Sequence, residues 1–156
     1  MKLRTLGLLV TLALVILLAP LTAEAQPLPK VARIGLLLPG TAPDPGVEGF
    51  RQGLRDLSWV EGQNIAIEYR WAEGKFERLP DLAAELVRLK VDVIVANATP
   101  ATSATKNATG TIPVVFAFVA DPVASGFVAS LARPGGNITG LASIATEVIG
   151  KQLELL

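Results

Sequence analysis

The residues best suited to chemistry in this sequence follow an apolar run at positions 91–96. The run breaks at Asn97, and Thr99 and Pro100 come next, a pair typical of the N-cap and first residue of a helix. Since a short β-branched run predicts a strand buried on both faces, we expect a helix N-terminus at the end of a buried strand. Such a terminus presents unpaired N–H groups and a positive dipole end, which favour a small anion such as a carboxylate. The candidate anion-binding groups are those of Thr99, Ala101 and Thr102.

Asp121 is a second candidate, because it directly follows another apolar run at positions 112–119. An aspartate before a proline, here Pro122, is typical of a helix N-cap. Its position at the predicted end of a strand also permits a contact with the amine of a ligand. Both interpretations of Asp121 stay open at this point.

The composition excludes several kinds of catalysis. The chain has no histidine and no cysteine, so the most common general base and the thiol nucleophile are both missing. The loop at Pro39, Gly40 and Thr41 lies where a nucleotide-binding fingerprint would lie, but its spacing does not match one. A carboxylate enzyme that uses Asp44, Glu68 or Asp121 as acid or base remains an alternative hypothesis.

The N-terminus has the pattern of an export signal. Lys2 and Arg4 precede an apolar run at positions 6–18, and Ala23-Glu24-Ala25 has the small residues that precede a cleavage site. The run is too short for a comfortable membrane span, so we expect a cleaved signal peptide over residues 1–25, with an uncleaved anchor as the alternative. The mature protein is then expected in the periplasm or another extracytoplasmic space.

Removal of residues 1–25 takes two basic residues and one acidic residue from a chain with 14 of each, which leaves a net charge of −1. The remaining arginines are scattered among acidic residues and form no basic cluster. Because nucleic acids are bound through clustered lysines and arginines, we expect no nucleic-acid partner.

The elements that would position these residues alternate between strand and helix. Apolar runs predict strands at 31–38, 91–96 and 112–119, alternation predicts an edge-like strand at 65–71, and 138–141 predicts one more short strand. Helices are predicted after Asp44, over 79–87, over 100–108, after Asp121 and from Thr146 to Leu156. The first helix has one apolar face, formed by Val47, Phe50, Leu54 and Leu57.

This alternation predicts an α/β fold: a Rossmann-like parallel sheet of order 2-1-3-4 with helices on both faces. In such a sheet ligands bind beyond the carboxyl ends of the strands where the winding reverses, here between the first and third strands. That crevice is expected to be lined by residues 39–43 and 97–102. Phe116 and Phe118 on the fourth strand are expected to fill the core rather than to stack on a ligand.

Three segments resemble one family. EGQNIAIEYRWAEGKFERLPDLAAELVRLKVDVIVA, IPVVFAF and DPVASGFVASLARPGGNITGL are similar to bacterial ABC-transporter substrate-binding proteins of the tryptophan/tyrosine-binding type. The resemblance implies a type I periplasmic-binding-protein fold, in which two lobes close on a small solute. It also implies delivery of that solute, with an amino acid as one candidate, to an ABC permease in the cytoplasmic membrane. Neither enzymatic activity nor a cofactor or metal is implied.

The loops that face the ligand in this family are similar in position to residues 38–41, 97–102 and 118–121. The family continues through a second lobe of similar size, so residues 26–156 are expected to form the N-terminal lobe alone. An exported sensory or regulatory binding module is the main alternative, because this architecture also serves such proteins. The expected ligand-binding residues are Pro39, Gly40, Thr41, Asn97, Thr99, Ala101, Thr102 and Asp121.

Overall fold

The computed structural model describes residues 31–143. Five strands, three α-helices and one 3₁₀ turn follow each other in these residues. They are β1 (Ala32–Leu38), α1 (Pro45–Asp56), β2 (Ile65–Trp71), the 3₁₀ turn Phe76–Arg78, α2 (Leu79–Arg88), β3 (Val93–Asn97), α3 (Ala98–Ala108), β4 (Val114–Val119) and β5 (Ile138–Ala142). The expected signal peptide and the expected helix from Thr146 to Leu156 lie outside the described residues.

The strands form one parallel sheet of order β2-β1-β3-β4-β5. The predicted order 2-1-3-4 is confirmed, and β5 extends it by one strand. β2 lies at the edge, as its alternating sequence predicts, and only Ile65 in it is buried. The winding reverses between β1 and β3, which places the crevice of the sheet at their carboxyl ends.

The main core lies on the face of the sheet that α2 and α3 cover. Leu37, Ile94 and Phe116 from the strands pack there with Leu86 of α2 and Ala101 of α3. Helix α2 lies very close to the sheet, since a Cβ built on Gly35 of β1 would come within 3.0 Å of the Leu86 side chain. Among the described helices, none is long and apolar enough to cross a membrane.

The opposite face carries α1, whose N-terminus is fixed by its own cap. Asp44 accepts hydrogen bonds from the N–H groups of Gly46 (2.7 Å) and Val47 (3.2 Å), as expected for an N-cap before Pro45. None of the residues in α1 is buried, and Leu57, which was predicted on its apolar face, is 72% exposed as the C-cap. Leu57 therefore ends the helix and does not pack against the sheet.

The prediction of a helix after Asp121 is wrong. Residues 122–127 form turns, and no helix follows before β5 among the described residues. Gly126 has a φ of 68°, and the N–H groups of Phe127 and Val128 both donate to the carbonyl of Pro122, which closes the segment into a tight turn. Phe127 and Val128 still reach the core, so the apolar residues are buried as expected but by a loop.

Candidate functional site

The carboxyl ends of β1, β3 and β4 meet at one edge of the sheet, and the loops that follow them form the candidate site. The loop after β1 is joined to the loop after β2 by backbone hydrogen bonds. Gly74 N–H donates to the Pro39 carbonyl at 2.8 Å, and Glu73 N–H donates to the Gly40 carbonyl at 3.0 Å. These bonds fix the backbone at Pro39 and Gly40, while Gly40 and Thr41 stay exposed at the edge.

Helix α3 begins directly at the end of β3. The sequence predicted Thr99 as its N-cap, but Asn97 holds that place and the helix starts at Ala98, so this prediction is wrong. Pro100 is then the third helical residue, and it removes one of the N–H groups of the first turn. The first-turn N–H groups that remain unpaired within the helix belong to Ala98 and Thr99.

The N-terminus of α3 differs from that of α1 in its cap. Asp44 closes α1 with its carboxylate, whereas the described contacts of Asn97 include no side-chain capping hydrogen bond to α3. A helix start without a side-chain acceptor leaves its first N–H groups to water or to a ligand. This terminus is therefore the one in the candidate site that suits an external anion.

Two of the predicted site residues lie inside the protein. Ala101 and Thr102 are fully buried between α3 and the sheet. The Thr102 hydroxyl donates to the Ala98 carbonyl at 2.9 Å, which satisfies the hydroxyl within the helix. Their side chains hold α3 against the sheet, so the backbone groups at this helix start that a solute can reach are those of Ala98 and Thr99.

Two non-glycine residues with positive φ lie side by side at this edge. Ala98 has a φ of 65° and Phe118 has a φ of 59°. They are neighbours because the preceding residues, Asn97 and Ala117, are paired in the β3–β4 register. Such conformations cost free energy, and they concentrate at ligand-binding and catalytic positions. Their coincidence at one edge makes this edge the candidate functional site.

Phe118 is exposed because β4 contains a bulge. Ala117 pairs with Leu141 and Val119 pairs with Ala142, so Phe118 is the extra residue between them. The bulge places Val119 in the core, where regular alternation would place Phe118. Phe116 is 1% exposed as predicted, but Phe118 is 70% exposed, and the prediction that it fills the core is wrong.

An apolar groove of about 200 Å³ opens between α1 and the carboxyl ends of these strands. Its floor consists of strand side chains, its wall is α1, and Asn97 is one of the few polar residues that line it. The main contributors are Leu36, Leu38, Val47, Phe50, Val95, Asn97, Ala117 and Phe118. Phe118 and Asn97 therefore join the groove to the start of α3.

Asp121 follows β4 and is exposed. Its Oδ1 accepts hydrogen bonds from the N–H groups of Val123 (3.1 Å) and Ala124 (2.8 Å), so it caps the turn that replaces the predicted helix. Both bonds are made to one oxygen of the carboxylate. A charged group is thus held just beyond the end of β4, the strand that neighbours β3.

The described residues contain no group of three or more histidine, cysteine, aspartate or glutamate side chains arranged to hold a metal ion. A cluster of charges lies away from the carboxyl ends, on α1 and in the turn before β2. Arg51 contacts Glu61 at 3.1 Å and Arg55 contacts Glu48 at 2.8 Å. The hydrogen bond from Arg55 is the main cause that lowers the pKa of Glu48.

Tyr69 in this cluster gives a prediction about pH. Burial, followed by the charge of Glu61 and a 3.2 Å hydrogen bond to it, raises the pKa of Tyr69 to about 12. Because the folded value lies above the ordinary value of about 10, the contribution to stability is complete below pH 10 and is lost as the pH rises towards 12. Tyr69 is the only tyrosine in the chain, so its ultraviolet absorbance reports this titration directly.

We expect the native titration about two pH units above that in denaturant, and Glu61→Gln should lower the native pKa without restoring the ordinary value. Glu68→Gln, on the same strand, is the control and should leave the titration unchanged. A native titration near pH 10 would contradict the proposed burial of the phenol.

Known proteins are similar to this chain in both sequence and fold. The sequence model for ABC transporter substrate binding proteins matches residues 30–156. A tyrosine-binding protein from Clostridioides difficile is 37% identical over 113 residues, which are 72% of this chain and 32% of that protein. These matches confirm the family resemblance read from the sequence.

Three solved structures are similar. A ligand-free, open substrate binding protein with adhesive properties from Clostridium difficile has a TM-score of 0.70 at 30% identity, over 79% of this chain and 43% of that one. An ABC domain in complex with L-Trp from Streptococcus pneumoniae has a TM-score of 0.62 at 29% identity, over 71% and 38%. A conserved domain protein from Vibrio cholerae has a TM-score of 0.70 at 33% identity, over 81% and 44%. The chain thus spans about a third of the curated relative and less than half of each solved structure.

Sequence reasoning located the edge, and the ranges that resemble the family's ligand-facing loops include Ala98 and Phe118, but it did not predict the conformation of either residue. The strain at Ala98 and the exposure of Phe118 had no signal in the sequence, because Phe118 continues the alternation set by Phe116. The structure brings Asn97, Thr99 and Asp121 to one edge together with the loop at Pro39, Gly40 and Thr41. It places the side chains of Ala101 and Thr102 behind that edge.

Proposed function

Since the chain belongs to the family of ABC transporter substrate-binding proteins, we propose that it forms one wall of a cleft that captures a small solute for an ABC importer. The observation that carries the proposal is the α3 N-terminus, which has no side-chain cap and lies beside two residues with positive φ. Those groups suit a carboxylate. Asp121 at the next strand suits an ammonium group.

A solute with both groups at one carbon is an amino acid, and the apolar groove beside them suits an apolar side chain. The relative named for tyrosine binding and the structure in complex with L-Trp support this class of solute. We propose contacts from the N–H groups of Ala98 and Thr99, from Asn97 and from Asp121. The loop at Pro39, Gly40 and Thr41 is proposed as the neighbouring rim.

One wall of such a cleft, studied without the rest of the cleft, is expected to bind its solute weakly. Ligand pockets usually bury most of their ligand, and binding must first offset the loss of ligand freedom. We therefore expect millimolar dissociation constants for the chain alone, which correspond to about −4 kcal/mol. NMR titration of ¹⁵N-labelled chain detects such binding residue by residue.

The test compares solutes that differ by one group. L-Trp and L-Tyr should shift the amide signals of Asn97, Thr99 and Asp121, whereas tryptamine, which lacks the carboxylate, should bind at least about tenfold more weakly. Asp121→Asn should weaken L-Trp binding similarly but should spare indole-3-propionate, which lacks the amine. Asp81→Asn on α2 is the matched control. If no solute shifts these amides up to its solubility limit, the proposal fails.

The location and partner are proposals of the same kind. We propose that residues 1–25 direct export and are removed, and that the mature protein meets an ABC permease outside the cytoplasmic membrane. The supports are the basic start, the apolar run and the small residues before Gln26. N-terminal sequencing of the exported protein should begin at Gln26; a start at Met1 in a membrane fraction would show an anchor instead.

A further inference from the structure

We infer that Phe118 is the residue that selects the solute's side chain, by presenting its ring to an aromatic or other planar apolar group. This inference rests on the proposed function and adds a specificity-determining residue to it. The observations are a bulge, a backbone strain and an exposed ring at one position. Each is independent of the family resemblance.

The backbone of Phe118 is strained. Its φ of 59° is a conformation that glycine and asparagine adopt much more easily than a bulky aromatic residue. The bulge requires a residue in this conformation so that Val119 can enter the core. Any residue that tolerates positive φ would serve the bulge, so the packing of Val119 does not explain why the side chain is a phenylalanine.

The ring of Phe118 lies in solvent. It is 70% exposed, although the same residue type two positions earlier, Phe116, is 1% exposed. Phenylalanine is usually buried and usually avoids positive φ. Phe118 departs from both preferences. A ligand that covers the ring would regain the burial.

Phe118 also lies where the groove meets the start of α3. It lines the apolar groove together with Val47, Phe50 and Val95, and it is adjacent to Ala98. A solute whose carboxylate lies at that helix start therefore has its side chain near the groove and the ring. Planar groups stack on aromatic rings with a preference beyond simple area burial.

The experiment measures selectivity in the full chain. Phe118→Asn keeps a residue suited to positive φ and removes the ring, and Phe118→Tyr keeps the ring. The binding of L-Trp and of L-Ala is measured by NMR titration for both variants. We expect Phe118→Asn to weaken L-Trp binding at least tenfold while L-Ala changes less than twofold, and Phe118→Tyr to retain the original ratio.

Leu131→Asn is the matched control, because Leu131 is an apolar residue of similar exposure (68%) in the loop after β4. It should change neither affinity. Unfolding by urea supplies the second measurement: Phe118→Asn should unfold at the same or a higher urea concentration, since the strain is relieved.

Three other outcomes would contradict the inference. An unchanged ratio in Phe118→Asn would overturn it and leave the proposed function standing. A markedly lower urea midpoint for Phe118→Asn would also overturn it, because the ring would then be a packing residue. If the unaltered chain binds no amino acid, the proposed function fails and this inference fails with it.

Discussion

Replacement of Phe116 by alanine is expected to lower the free energy of unfolding by about 4 kcal/mol. Phe116 is among the largest fully buried side chains, at 1% exposure, and its strand β4 pairs with both β3 and β5. The truncation removes the buried ring and leaves a cavity in the main core that the surrounding strands cannot close. Urea unfolding followed by the fluorescence of Trp59 and Trp71 measures the change.

Phe118→Ala is the matched control, since it removes the same ring two positions along the same strand. Because that ring is 70% exposed, its loss should change the free energy of unfolding by no more than about 0.5 kcal/mol. Phe116→Leu should fall between the two at about 1 kcal/mol, which keeps the comparison measurable if the alanine variant does not fold. Equal losses at positions 116 and 118 would contradict the bulge.

Gly140→Ala is the second large effect that we expect, with a loss of about 3 kcal/mol. A Cβ at this position would overlap the carbonyl oxygen of Phe116 and would lie 2.6 Å from its backbone nitrogen. These are backbone atoms in the middle of the sheet, so the contact cannot be relieved by rotation of a side chain. The paired strand β5 would have to move away from β4, and Ile138 would lose its place in the core.

Urea unfolding measures the loss of stability in Gly140→Ala, and hydrogen exchange shows which strands are affected. Amides of β4 and β5 should exchange faster in Gly140→Ala, while those of β1 and β2 should change little. Gly136→Ala is the control, because nothing lies within 4 Å of a Cβ built there. A Gly140→Ala chain with native exchange in β5 would show that the register of β4 and β5 is wrong.

The architecture could be predicted from the sequence, because it depends on patterns within single elements. The apolar runs at positions 31–38 and 91–96 contain enough β-branched and aliphatic residues to specify buried strands. The alternation in β2 specified an edge strand. Asp44 before Pro45 specified a helix start, since cap and first-turn chemistry are local and the Asp44 carboxylate accepts a hydrogen bond from the nearby Gly46 N–H at 2.7 Å.

The tertiary structure alone decided where α3 begins, how the chain continues after Asp121 and which way Phe118 points. Thr99 and Pro100 resemble a cap. However, the pairing of β3 with β4 stops at Asn97 and Ala117, and α3 follows directly, with its N-cap two residues earlier than predicted. The segment after Asp121 has an apolar pattern typical of a helix, yet its turns bury Phe127 without one. Phe118 is exposed because neighbouring strands set the register of a bulge, and a register between strands distant in sequence is invisible to any pattern within one strand.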